Sequence, residues 1–418
     1  MENIRFNNSN NGGGDCPLCN KETDFKNIFF RDNVFAGSQI FELSATMSKE
    51  NLNYGRGDCV LDIKQCSGCG LIYNASFNHR KIQQVYLNEK YMQQKIFSTS
   101  LNNTLLNIKN KIMSYSEKDD IFLEIAPGLG DLFYALAKEV KFIYGVDPSP
   151  SSSSRIKGLK NAKLIQDFFD ENIKNRINEK VNFIIFRHLL EHIDTPKILL
   201  QNVVDFLPED GKIYIEVPNA LEIFKHKRFY EFFHDHVNYF QPNVLINILN
   251  ELGCECIDIH YPSSEQWVGL FFKKTKKIIR QNLEIYYYDN GIFQDNIDKT
   301  NALLNCSKNI AIMGGGIHAN SILNYLTEDN LKNIICAFDA NPEKIGRFLQ
   351  NSDIEIMEIT KENLKDIECI IMAMPVVEEK VFENEILNFK KQGLAPKLKA
   401  VILSAKELRL VNLKENGC

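Results

Sequence analysis

"IFLEIAPGLGDLFYAL", Ile121–Leu136, decides the fold of this chain. A short apolar run enters a proline–glycine turn and leaves it as an amphipathic stretch, which reads as strand, tight turn and helix. Gly128 and Gly130 sit in that turn, where a missing Cβ lets a ligand approach the backbone. The following strand-like run ends in "YGVDPS" and places Asp147 at its carboxyl tip. In a doubly wound sheet an acid at that position accepts hydrogen bonds from ribose hydroxyls. The runs "AKLIQ", "VNFIIF" and "KIYIEVP" then alternate with helical patterns as far as Leu270. That is the rhythm of a parallel sheet with crossover helices. At this point NAD and S-adenosylmethionine are both open, since a glycine turn and a ribose acid hold either one.

The rest of the chain sets the frame. Its 418 residues exceed one hydrophobic core, so two or three domains are expected. Lys plus Arg number 49 against 54 for Asp plus Glu, a net charge of −5. Such a chain has no basic field for phosphate backbones, and nucleic acid is not an expected partner. Apolar runs such as "IECIIMAMPVV" are too short for a membrane span, and "MENIRFNNSNNGGGD" lacks a signal-peptide core. A cytoplasmic protein without a membrane partner is expected.

Eleven cysteines in a reducing compartment favour metal over disulfide. Cys16 and Cys19 in "CPLC" and Cys66 and Cys69 in "CSGCG" form two knuckles whose four thiolates fit one tetrahedral ion. A structural Zn2+ is the expected occupant. The organisation that follows is a disordered tail over 1–15, a zinc-binding domain over 16–85 and the large α/β domain over 86–270. A helical connector over 271–300, with its charge run "KKTKKIIRQ", leads to a smaller α/β domain over 301–418.

The glycine loop lacks the G-x-G-x-x-G spacing, and Ala126 stands where the dinucleotide fingerprint has its first glycine. The loop instead resembles motif I of class I methyltransferases, E-x-G-x-G-x-G, with Glu124 opening it and Asp131 following it. "QDFFD" places Asp167 and Phe168 after the third strand, where that family meets the adenine ring. "FRHLLEHIDTP" is similar to the family's "HVLEHI" segment, which implies Arg187, His188 and Glu191 in the cleft. S-adenosylmethionine is therefore the implied cofactor, bound through Glu124, Gly128, Gly130, Asp147, Asp167, Phe168, Arg187 and His188.

"RFYEFFHDHVNYF", Arg228–Phe240, crowds two histidines and an aspartate among aromatic residues. With all parts in view, the chain resembles the sugar C-methyltransferases that act on nucleotide-linked deoxyketosugars, over nearly its whole length. That family carries a "YHEH…YF" segment, matched here by "FHDHVNYF" with Phe233 for the tyrosine and Asp235 for the glutamate. The expected fold is α/β: a central Rossmann-like class I sheet, a small N-terminal zinc module and a C-terminal Rossmann-like domain. Methylation of carbon needs a proton removed α to a carbonyl, and a positioned histidine with a pKa near about 6.5 suits that task. His236 is the expected base, with His234 and Asp235 orienting the substrate.

Glu191, Tyr239 and the C-terminal loop residues Gly314, Gly315, Gly316, His318 and Asp339 are the expected contacts of a nucleotide-linked sugar. The C-terminal glycines also admit a packing role. "FDANPEKIGRFL" resembles the family's "D.NP.K.G...PG" stretch without its final pair. Oxygen or nitrogen methylation on the same scaffold, and a non-catalytic binder of the nucleotide sugar, are the alternatives. Sugar identity, methylated position and oligomeric state are not legible.

Overall fold

The structure is a computed structural model. It describes residues 16–20, 23–34, 46–49, 59–78, 99–149, 158–262, 265–277, 282–305, 307–350, 352–374, 378–391, 398–403 and 408–412. The expected tail 1–15 and the polar bridge 79–97 lie outside the described residues.

The cysteine module is a small antiparallel sheet. It contains β1 (Phe25–Val34), β3 (Cys59–Cys66) and β4 (Ile72–Asn74), while β2 (Thr46–Met47) pairs elsewhere. Along β3 the residues alternate buried and half-buried, with Leu61, Ile63 and Gln65 facing in. This is the period-two pattern of a strand covered on one face.

The large domain contributes β5 (Ile121–Ile125), β6 (Phe142–Val146), β7 (Ala162–Ile165), β8 (Phe183–Arg187) and β9 (Lys212–Pro218). It continues with β10 (Asn238–Tyr239), β11 (Cys254–His260) and β12 (Trp267–Lys274). Seven of these form one sheet in the order β11-β12-β9-β8-β5-β6-β7, and β12 alone runs antiparallel to its neighbours. Every residue of β5 is buried, as expected of a central strand with both faces covered. The strand order reverses beside β5, where its neighbour changes from β6 to β8. In open α/β sheets that switch point opens the ligand crevice at the carboxyl ends of the strands.

The third unit contains β13 (Ile310–Met313), β14 (Ile334–Phe338), β15 (Phe348–Leu349), β16 (Ile356–Met357), β17 (Cys369–Met372), β18 (Lys399–Ile402) and β19 (Arg409–Asn412). Its sheet runs β16-β14-β13-β17-β18-β19, parallel except for the last pair.

The three units are interleaved more than the sequence suggests. β10 leaves the large domain and pairs with β4, Asn238 opposite Tyr73 and Tyr239 opposite Ile72. β15 pairs with β2, and the Arg31 guanidinium donates to the Asn324 carbonyl from Nε at 3.1 Å and Nη2 at 2.7 Å. Rings from all three units meet at the junction: Phe29 lies 5.6 Å from Phe232, and Phe232 lies 4.9 Å from Phe293. The aromatic crowding around the two histidines is thus a joint core between units.

The helical connector expected over 271–300 is corrected by the structure. β12 runs to Lys274, residues 282–289 form an irregular extended strap, and the helix Gln294–Leu304 opens the third unit. Residues 278–281 of the charge run lie outside the described set. Side-chain amides take the place of helical bonds in the strap. Gln241 accepts from the Tyr286 N–H at 3.0 Å and donates to its carbonyl at 2.8 Å, and Asn247 brackets Leu283 in the same way at 2.7 and 2.9 Å. Gln65, reaching from β3, accepts from the Tyr288 N–H at 3.0 Å and donates to the Tyr286 carbonyl at 2.8 Å. The N–H groups of Leu283, Tyr286 and Tyr288 and the carbonyls of Leu283 and Tyr286 are thus satisfied from the side without a helix. No described helix is long and apolar enough to cross a membrane.

Candidate active site

The site begins at the carboxyl end of β5. Ala126 has φ near 54° and Gly130 near 76°, so the turn needs left-handed backbone at both positions. The alanine costs on the order of 1 kcal/mol there and glycine does not. The Asp147 carboxylate closes the turn, Oδ2 accepting from the Gly128 N–H at 2.9 Å and Oδ1 from the Ser149 N–H at 2.8 Å. Glu124 is 4 % exposed and its Oε2 has no hydrogen-bond partner. Burial, with Asp147 and Asp131 adding to it and Arg187 opposing it, pushes its pKa up to about 8.

At the end of β8 a buried charge cluster forms. Arg187 reaches Glu216 Oε1 through Nε at 2.8 Å and Nη2 at 2.7 Å, and the Tyr214 hydroxyl donates to Oε2 at 2.6 Å. Glu216 is fully buried, which opposes its charge, yet Arg187 and His188 hold its carboxyl far below the usual range. His188 follows with φ near 49°. Its Nε2 lies 3.2 Å from Glu216 Oε1 and its Nδ1 3.5 Å from Glu191 Oε1, and the ring stands edge-on to Trp267 at 4.8 Å. Burial opposes charge on this imidazole, but the two carboxylates outweigh it and hold its pKa up at about 9. A strained non-glycine backbone beside a cleft is where function commonly stores strain.

The histidine loop separates its two histidines. His236 lies at the cavity wall with its ring 4.7 Å from that of His192 and 5.1 Å from that of Phe233. Desolvation, reinforced by His192, pulls its pKa down to about 3, so the ring is neutral at physiological pH. His234 points the other way, into the cysteine module. Its Nδ1 lies 3.0 Å from the Val60 carbonyl, its Nε2 accepts from the Asn78 N–H at 3.3 Å, and its ring stacks on Phe77. The orienting role expected of His234 is therefore corrected: at 2 % exposure it is a satisfied core histidine.

Tyr239 is also turned from the substrate. Its hydroxyl accepts from the Phe233 N–H at 3.0 Å and donates to the Phe233 carbonyl at 3.1 Å, clamping the loop. Asp235 contributes its main-chain carbonyl, which lies 2.8 Å from His192 Nδ1.

A cavity of about 520 Å³ gathers these parts. Of the residues expected from sequence, Glu124, Gly130, Arg187, His188, Glu191, His236 and His318 line it. Asp167 and Phe168 do not: Asp167 pairs with Arg176 at 2.6 Å and Phe168 is 46 % exposed at the sheet rim. The C-terminal glycine turn is likewise outside the cavity lining, although Ile317 and His318 directly after it are inside. There Asp339 accepts from the Gly315 N–H at 2.9 Å and from Lys344 Nζ at 3.1 Å. A Cβ on Gly314 would sit 2.8 Å from Met374 Cγ, and one on Gly315 2.9 Å from Ile356 Cδ1, so packing accounts for both glycines. Sequence reasoning missed His192, Trp267 and Glu231 as lining residues. His192 was within reach, as the final histidine of "LLEH".

The four knuckle cysteines come together on the module's edge, their sulfurs within 4.8 Å of one another. Cys16 Sγ and Cys69 Sγ are 3.5 Å apart and Cys19 Sγ and Cys66 Sγ 3.9 Å, against about 3.8 Å for tetrahedral ligands at a Zn–S length near 2.3 Å. The Thr23 hydroxyl at 3.1 Å and the Cys69 N–H at 3.4 Å lie against Cys66 Sγ, as groups around thiolate ligands do. The donor set fits zinc.

A mostly parallel seven-stranded sheet with one antiparallel strand beside its edge, a glycine turn after its first strand and an acid after its second define a class I S-adenosylmethionine-dependent methyltransferase. The match to a family model agrees. Residues 97–259 match the family model described as a methyltransferase domain. Among curated proteins the chain is similar to the C-methyltransferase NovU of Streptomyces niveus, 23% identical over 144 residues, which is 34% of each chain. The match thus spans about a third of that relative's length.

Among solved structures it is similar to magnesium protoporphyrin IX methyltransferase (ChlM) from Synechocystis PCC 6803 with bound SAM, at 12% identity and a TM-score of 0.36. That likeness covers 48% of this chain and 100% of the other. It is also similar to the N-methyltransferase NodS of Bradyrhizobium japonicum WM9, at 15% identity and a TM-score of 0.33, covering 42% of this chain and 98% of that one.

The two histidines of the loop should part company in experiment. His234→Ala is expected to lower stability by about 1 to 3 kcal/mol, because it deletes a buried side chain together with its bonds to the half-buried Val60 carbonyl and the exposed Asn78 N–H. Urea unfolding followed by fluorescence checks this, and an unchanged midpoint would return His234 to the list of site candidates.

Proposed function

We propose that the enzyme methylates a carbon atom of a nucleotide-linked keto-deoxy sugar, with His236 as general base and zinc in the four-cysteine site. The observation that carries this reading is the shared cavity. Glu124 and Gly130 of the glycine loop, His236 of the histidine loop and His318 of the third unit all face the same space. The similarity to a C-methyltransferase and the matched "FHDHVNYF" segment support carbon as the acceptor.

S-adenosylmethionine, when bound, supplies a methyl group made electrophilic by its sulfonium. Glu124 is the carboxylate beside the glycine turn that would meet a cationic cofactor, and Asp147 holds that turn. His236 takes the proton from the carbon α to the sugar carbonyl, and the electron pair of the broken C–H bond becomes the enolate nucleophile. A neutral imidazole carries the lone pair this step needs, and the neighbouring Glu191 carboxylate favours the positive charge the ring takes up against the burial that opposes it. His192, fixed through Asp235, sets the orientation of the His236 ring. Zinc at Cys16, Cys19, Cys66 and Cys69 has a structural role, since four protein sulfurs leave no position for substrate. That module holds the histidine loop through β4 and β10.

Four outcomes are expected. Cofactor affinity should rise up to about tenfold per pH unit below 8 and level off above it, because Glu124 must lose its proton to meet a cation. Calorimetry on Glu124→Gln should show that slope gone, and a retained slope would assign the proton elsewhere.

His236→Ala should keep cofactor binding and lose at least about 10²-fold in turnover. With a panel of nucleotide 4-keto-deoxysugars in heavy water, the native enzyme should add one methyl and place deuterium at the α carbon. Methyl gain on reduced sugars without exchange would mean oxygen or nitrogen transfer instead.

Elemental analysis should find about one zinc per chain, lost in a Cys66→Ser variant. A zinc-free, well-folded native protein would remove the metal from this reading.

A further inference from the structure

Glu191, His192 and His236 bring a carboxylate oxygen and two ring nitrogens within 4.8 Å of one another on the cavity wall. The arrangement is built beyond its three donors. Glu191 is 1 % exposed, and while Oε1 faces His188 Nδ1 at 3.5 Å, Oε2 has no hydrogen-bond partner. A buried carboxylate oxygen left so is costly unless something positive meets it. The Asp235 carbonyl 2.8 Å from His192 Nδ1 places the ring proton on that nitrogen and directs the lone pair to Nε2. Metal-ligating histidines are oriented by just such a bond, and ligating carboxylates are themselves held from behind.

We propose that Glu191, His192 and His236 form a second metal site, separate from the four cysteines, for a divalent first-row transition ion. Two imidazoles and one carboxylate suit Zn2+, Co2+ or Ni2+ and are a poor set for Mg2+ or Ca2+, which take oxygen. Donors around an ion at about 2.0 to 2.2 Å lie no more than roughly 4 Å apart, so small rotations of the side chains close the site. Its remaining coordination position faces the cavity. Resting on the reading above, the ion and the substrate proton compete for one imidazole lone pair. An ion in this site therefore inhibits the transferase.

The test titrates native protein, carrying its four-cysteine ion, with cobalt chloride as a spectroscopic stand-in for zinc. One further equivalent is expected to bind, with weak visible bands of nitrogen and oxygen ligands and without new thiolate charge transfer. His236→Ala and Glu191→Gln should each weaken that equivalent at least about tenfold and leave the cysteine-bound ion in place. Turnover of the native enzyme should fall in step with occupancy. No equivalent beyond the cysteine site, or a second equivalent untouched by both variants, would overturn the metal site, and full turnover of the native enzyme with the site filled would overturn its inhibitory role. Cobalt binding is read without acceptor, so a filled site together with normal turnover by His236→Ala would sink the general-base reading and leave the metal site standing.

Discussion

The pairing of β10 with β4 is the constraint on which the site depends. It is only two residues long, yet it fixes the chain immediately after the histidine loop to a sheet belonging to another unit. From the other side His234 bonds into the same module, and Tyr239 clamps the loop's own backbone. Three short restraints thus hold a turn whose remaining histidine must face a cavity. Loops positioned by rigid neighbours are the usual seat of chemistry. Here the neighbour is the cysteine module, which ties the four-cysteine cluster to the wall of the cavity.

Beneath the cavity a second constraint is electrostatic. Glu216 is completely buried and tolerable only because Arg187, Tyr214 and His188 surround it. Removing one member of such a buried pair typically costs about 3 to 5 kcal/mol. Glu191 and the same carboxylate together favour the charge on His188, which lies between them. The cluster therefore serves as foundation and as the source of charge at the cleft floor.

The central sheet was legible because Ile121–Ile125 and its successors are short apolar runs with a glycine turn and an acid in fixed order. The cysteine knuckles were legible from spacing, and His236 from its company. The roles of His234 and Tyr239 were not, since neighbouring side chains of one loop can turn to opposite sides and only tertiary partners decide which. His192 was hidden inside a motif whose first histidine drew attention. Asp167 and Phe168 were placed by resemblance alone, and the structure leaves them on the rim. Within 271–300 the extended strap 282–289 was not legible, because the amides that meet it come from Gln65, Gln241 and Asn247, far away in sequence.

That strap has a consequence for how the chain tolerates change. A linker held only by its ends accepts insertions, since loop entropy grows slowly with length. This one is gripped residue by residue, with Leu283, Tyr286 and Tyr288 each addressed by a particular side chain. Adding or deleting a single residue would shift every later peptide group past its partner, as a slipped register does in a sheet. The described strap, residues 282–289, is therefore a measured spacer and not a free tether.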